Sequence, residues 1–90
     1  MKMTNRNTTQ ILVEVLQVAN CNVGVTELCQ KTNLPYNRLN KLVHNLTSSG
    51  LINQIEVEGK KTFIITENGR TLLEEYKKFD YIARSFGLEL

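Results

Sequence analysis

The segment from Pro35 to Ser49 carries Asn37, Arg38, Asn40, Lys41, His44, Asn45 and Ser48: cations, amides and a hydroxyl, with no carboxylate among them. At helical spacing these residues share one side, with 37, 41 and 44 along one ridge and 38 and 45 beside it. Arginine bonds guanine through two parallel N–H groups, asparagine bonds adenine, and lysine bonds guanine or phosphate, so such a face offers both base readout and positioning on a polyanion. Arg38 and Lys41 stand first among them. No Asp or Glu lies between Glu27 and Glu56, whereas Lys31, Arg38 and Lys41 do. Cations placed there gain affinity for a phosphate backbone by releasing its counterions. A solvated helix face that merely lacks acids is the alternative, and it stays open at this point.

Other chemistry has little to work with. His44 is the only histidine, which leaves no Ser/His/Asp set and no metal cluster to build around it in one chain. Cys21 and Cys29 have no Cys or His company at metal-ligand spacing. They read as reduced cysteines in or near a core, with a redox switch beside the helix pair as the other option. Gly50, Gly59 and Gly69 are isolated, each suited to a turn or cap, so no phosphate-cradling loop exists. The expectation is no enzyme, no cofactor and no metal.

The elements that position the donor face follow from periodicity. Tyr36, Leu39, Leu42, Val43 and Leu46 supply the apolar side of a helix over 35–49, which Pro35 can start and Gly50 can end in left-handed geometry, with Leu51 packing back. Before it, Thr26 is expected to cap a short helix ending near Thr32-Asn33, with Glu27 in its first turn and Leu28 and Cys29 as apolar contacts. Two helices joined by so few residues make a helix-turn-helix whose second member can lie in a major groove. A first helix capped by Asn7 or Thr8 buries Ile11, Leu12, Val15, Leu16 and Ala19, and Asn20 to Gly24 stop it. Val23 to Val25 can form a very short strand. Residues 1–6 read as a loose polar arm whose Lys2 and Arg6 can touch a phosphate backbone.

From Leu51 the period becomes strand-like. Ile52–Val57 and Lys61–Thr66 are two β-rich runs separated by Glu58-Gly59-Lys60, a hairpin bending at Gly59. Lys60 and Lys61 near its tip can reach phosphate or a minor groove, against repulsion from Glu56 and Glu58 on the same arm. A helix-turn-helix followed at once by a hairpin is a winged helix. The strings LPYNRLNKLVHNLTSSGLI and FIITENGRTLLEEY resemble small archaeal winged-helix DNA-binding proteins across roughly residues 10–88, nearly the whole chain. The GLI and ITENGRTLL portion carries the likeness, since helix-turn-helix segments are shared by very many regulators. The resemblance implies double-stranded DNA as partner, and a terminal helix pairing two subunits in an antiparallel coiled coil.

Thr66 can cap that last helix, placed at 67–86 and ended by Gly87, with Leu88 folding back. Leu72, Tyr76, Phe79, Ala83 and Phe86 step by 4, 3, 4 and 3, a heptad seam that Leu73 and Ile82 widen. At 1.5 Å per residue the rod is about 30 Å long, more than a small core covers, and a second copy is the simplest partner for its far part. A helix folded wholly back on its own domain is the alternative. Tyr76, Phe79, Tyr81 and Phe86 can also line a cleft at such a seam, but read first as packing residues, with no small-molecule ligand evident.

The 90 residues then form one mainly α (α+β) domain, with a winged-helix core over 7–66, a two-stranded wing and a dimerisation helix over 67–86. With 22% charged and 41% hydrophobic residues, and no apolar run near the ~20 needed to span a bilayer, the chain is expected to be cytoplasmic and nucleoid-associated. The function implied is a homodimeric transcriptional regulator or chromatin-organising factor. A winged helix whose same face docks on a protein is the rival, favoured by the modest net charge of +2 and the acidic wing arm.

Overall fold

A capping box opens the first helix: Asn7 Oδ1 accepts from the Gln10 N–H at 2.8 Å, and Gln10 Oε1 accepts from the Asn7 N–H at 3.0 Å. The structure is a computed structural model that describes residues 7–88, so the expectation for Lys2 and Arg6 lies outside the described residues. In chain order it forms α1 (Thr8–Val18), β1 (Val23–Gly24), α2 (Val25–Thr32), α3 (Tyr36–Ser48), β2 (Ile52–Val57), β3 (Lys60–Ile65) and α4 (Glu67–Ser85). Helices α1, α2 and α3 surround a core closed on one side by an antiparallel sheet of order β1-β3-β2. This is a winged helix, mostly helical, with a long last helix.

Val15, Leu16, Leu28, Leu39 and Ile52 are almost wholly buried, one or two from each layer. Each contributes about 1.5–3 kcal/mol of apolar burial relative to exposure. On α1 the buried set is Ile11, Val13, Val15, Leu16 and Ala19, while Leu12 is only half-buried. The expected stripe is thus corrected at Val13, because α2 and α4 both pack on α1 and widen its covered surface. Thr32 is the buried polar residue of α2, and its hydroxyl donates to the Leu28 carbonyl at 2.6 Å.

Four local expectations shift. Gly24, not Thr26, is the N-cap of α2, because Val23 and Gly24 pair with Phe63 and Thr62 and the chain turns helical as soon as it leaves that ladder. The short strand foreseen there is real and adds a third member to the sheet. Pro35 is the N-cap residue of α3 rather than a member of its first turn. Lys60 belongs to β3, opposite Val57, so the wing turns through Glu58-Gly59 alone, with φ of +53° and +78°. Positive φ at both central residues gives a tight turn that matches strand twist, and this takes Lys60 out of the bend. Thr66 in turn leaves the strand to cap α4.

Helix ends follow a shared logic. Beyond α3, Gly50 adopts φ +78° and the Leu51 N–H donates to the Leu46 carbonyl at 2.9 Å. Beyond α4, the Leu88 N–H donates to the Ala83 carbonyl and Gly87 to Arg84, both at 2.9 Å. Leu88 therefore folds back through its backbone, although its side chain remains exposed. The start of α4 is bound to the end of α3. The Thr66 hydroxyl donates to the Gly50 carbonyl at 2.6 Å and accepts the Gly69 N–H at 3.0 Å, and the Thr66 N–H donates to the Leu51 carbonyl at 3.0 Å.

Candidate nucleic-acid interface

Helix α3 is held by Leu39, Val43 and Leu46, which are buried, and by half-buried Leu42. Tyr36, expected on that apolar face, is instead 58% exposed, because it stands at the first turn beyond the reach of the core. Fixing the apolar side turns the opposite side to solvent: Asn37, Arg38, Asn40, Lys41, His44 and Asn45 are all exposed. No acid lies in the first turn and no side chain caps it, so the helix dipole adds positive potential there. Neither Arg38 nor Lys41 makes an ion pair among the described residues.

Lys31 is different. Its ammonium lies 2.9 Å from Glu27, and that hydrogen bond, followed by the carboxylate's charge, raises its pKa above the usual lysine value. The pair is exposed and one helical turn apart, which removes Lys31 from the free cations of the acid-poor stretch.

The expected donor residues fall into separate groups. Asn40, Lys41, His44, Asn45 and Ser48 line an open groove of about 590 Å³ between α3 and β2, whose far wall is Gln54. Asn37 and Arg38 lie on α3 outside that lining. Lys60 and Lys61 line another cleft, against Gly24 to Glu27 where α2 begins. Lys61 is directly opposite Glu56 across the wing, Lys60 is opposite Val57, and Glu58 occupies the turn, so two acids share the tip with the two lysines. Gln54 carries no signal in the sequence on its own. Strand alternation from buried Ile52 puts it on the α3 side of the sheet, but only the packing of β2 beside α3 brings it to the donor face.

On α4 the expected seam divides. Leu73, thought to widen it, is in the core with Gly69, and Tyr76 packs partly against that core. Ala83 is 4% exposed and so is already covered within one chain. Leu72, Phe79, Ile82 and Phe86 remain exposed at 39%, 58%, 54% and 77%. Their steps of 7, 3 and 4 place them on one side, rotated from the side that meets α1.

A description of winged helix-turn-helix proteins matches residues 5–84. The chain belongs to the winged helix-turn-helix family. Among solved structures it is similar to Sso10a-2, a DNA-binding protein from Sulfolobus solfataricus, at 25% identity and a TM-score of 0.77, covering 90% of this chain and 85% of that one. It is also similar to F-93 of SSV1, at 18% identity and a TM-score of 0.61, covering 90% of this chain and 99% of that one. A MarR family transcriptional regulator from Silicibacter pomeroyi matches at 18% identity and a TM-score of 0.68, covering 83% of this chain. The winged helix-turn-helix chain spans 56% of that regulator's length. These last two likenesses speak for the fold alone. A search of curated protein sequences finds no match. In the family's terms α2 and α3 are the helix pair and β2 with β3 the wing. Among the described residues no group of three or more His, Cys, Asp or Glu could hold a metal, and no helix is long and apolar enough to cross a membrane.

Proposed function

We propose that this winged helix-turn-helix protein binds double-stranded DNA as a homodimer, with α3 in the major groove, as a transcriptional regulator or chromatin-organising factor. One observation carries the reading: the solvent side of α3 presents Arg38, Lys41 and a row of amides with no carboxylate among them. Arg38 and the residues near the start of α3 are placed to reach base edges, and Lys41 to reach guanine or phosphate. The likeness to a DNA-binding protein of similar length supports the same partner. Leu72, Phe79, Ile82 and Phe86 form the surface on which a second copy of α4 would close, with Tyr76 and Ala83 beneath its edge. Lys60 and Lys61 contribute weakly, given Glu56 and Glu58 beside them.

Fluorescence anisotropy with generic duplex DNA at rising salt tests this. Affinity falls steeply with salt in the wild type, and Arg38→Ala with Lys41→Ala weakens binding and flattens the log–log slope by about two. Absence of binding at low salt would overturn the reading. A protein partner, already favoured by the modest net charge and the acidic wing arm, gains one structural observation, the exposed Ile55 and Val57 on the wing. Retention of a partner protein after nuclease treatment would favour it. Genome-wide occupancy separates the two DNA roles, sharp peaks for a regulator and broad coverage for a chromatin factor.

A further inference from the structure

The groove between α3 and β2 is chemically one-sided in a way the helix alone does not explain. One wall is α3, with Asn40, Lys41, His44, Asn45 and Ser48; the other is the root of the wing, where Gln54 stands. Gln54 lies directly opposite Phe63, which is buried, and two residues beyond Ile52, which is fully buried. It is therefore the first residue of β2 on the core-facing side that emerges from the core. An apolar residue there would extend the core, and an acid would face Lys41 across the groove. The chain has a neutral carboxamide instead, exposed and without a hydrogen-bond partner among the described residues.

All of these polar walls can donate, and the sole formal charge is positive. The Thr47 hydroxyl, on the same flank, is engaged with the Val43 carbonyl at 2.8 Å, which leaves amides, ammonium, imidazole and the Ser48 hydroxyl to face the groove. Neutral donors around a single cation are what holds a sugar–phosphate strand without reading its bases. A helix seated in a major groove is flanked by one phosphate strand on each side, and this groove runs along one flank of α3. Resting on the DNA-binding reading above, we infer that the groove grips one backbone strand of the duplex and that Gln54 donates to its phosphate oxygens from the wing side. The wing then contributes through its root, where no acid lies, rather than through its tip, where Glu56 and Glu58 oppose Lys60 and Lys61.

Three substitutions at Gln54 test this in the full chain, with anisotropy on several unrelated duplexes across a salt series and circular dichroism to verify folding, which an exposed site should leave unchanged. Gln54→Ala should weaken binding about three- to tenfold, equally on every duplex, with an unchanged salt slope because no charge is lost. Gln54→Lys should restore or tighten binding and steepen the slope by about one. Gln54→Glu should weaken binding more than Gln54→Ala does. If all three bind within twofold of wild type while Lys41→Ala weakens binding, the Gln54 contact is wrong and DNA binding by α3 stands. If the loss is confined to duplexes differing at one base pair, Gln54 reads a base and the backbone assignment falls. If the wild type binds no duplex at low salt, both readings fall together.

Discussion

Gly69 occupies the first turn of α4 where the helix crosses the Leu51 backbone, and the substitution Gly69→Ala puts two ordinary expectations in opposition. In an exposed helix alanine is favoured over glycine by about 1 kcal/mol, so propensity alone predicts a more stable protein. A Cβ on residue 69 would lie 2.2 Å from the Leu51 carbonyl oxygen and 2.6 Å from Ile65 Cγ1. Ordinary contacts are about 3.5 Å, so α4 would have to retreat by roughly an ångström. The first obstacle is backbone and cannot swing aside. That same carbonyl accepts the Thr66 N–H at 3.0 Å, and the Gly69 N–H donates to the Thr66 hydroxyl at 3.0 Å. Overpacking of this kind costs about 1–3 kcal/mol, and each weakened hydrogen bond adds up to about 1 kcal/mol. After the propensity gain, the net loss is about 1–3 kcal/mol. For a domain of this length each kcal/mol moves Tm by about 4–8 °C, so a loss of about 2 kcal/mol lowers it by about 8–16 °C. Urea and thermal denaturation followed by circular dichroism measure this, at one protein concentration for both chains because association would shift either midpoint. A Gly69→Ala protein as stable as wild type, or more so, would refute the claim that the α4 start is locked against Leu51.

Two further substitutions probe the wing and the last helix. Glu58 holds φ +53° in the wing turn, a conformation that favours Asn or Gly, so Glu58→Asn should raise stability by about 0.5–1 kcal/mol in urea titrations. Phe79→Glu with Ile82→Glu places charge on the exposed side of α4 without touching the core, and should leave the fold intact while raising the dissociation constant of the proposed dimer more than about a hundredfold. Light scattering reads the latter, with the mass of one chain expected for the variant and of two for wild type.

Most of the fold was legible because its signals are local. Asn7, Thr66, Gly50 and Gly87 mark helix ends by side-chain oxygen or left-handed backbone, and each occupies its expected role. What escaped the sequence depended on neighbours in space. Thr26 is a good cap residue, but pairing of Val23 and Gly24 with β3 moved the helix start ahead of it. Heptad spacing grouped Leu72, Tyr76, Phe79, Ala83 and Phe86, yet the same spacing suits a helix with two covered sides, and only the placement of α1 separates inner Tyr76 from outer Phe79. The donor residues of α3 were legible from their types and period. Their division between the groove and the outer ridge was not, since it depends on where β2 runs.

The junction between α3 and α4 bears on the proposed dimer. A helix of 19 residues extends about 28 Å, so tilting α4 by about 10° at Thr66 displaces its far end by about 5 Å. That is more than one base-pair rise, and two recognition helices on one duplex must match a separation of about 34 Å or a multiple of it. A flexible link at this point would spread the separation over several base pairs and weaken any preference for spaced half-sites. The chain instead ties the end of α3 to the start of α4 through one side chain, the Thr66 hydroxyl donating to Gly50 just past α3 and accepting from Gly69 in the first turn of α4. The absent side chain of Gly69 lets the two backbones touch. The lock stabilises the single domain in any case; in the proposed dimer it would also hold the two recognition helices at a fixed separation.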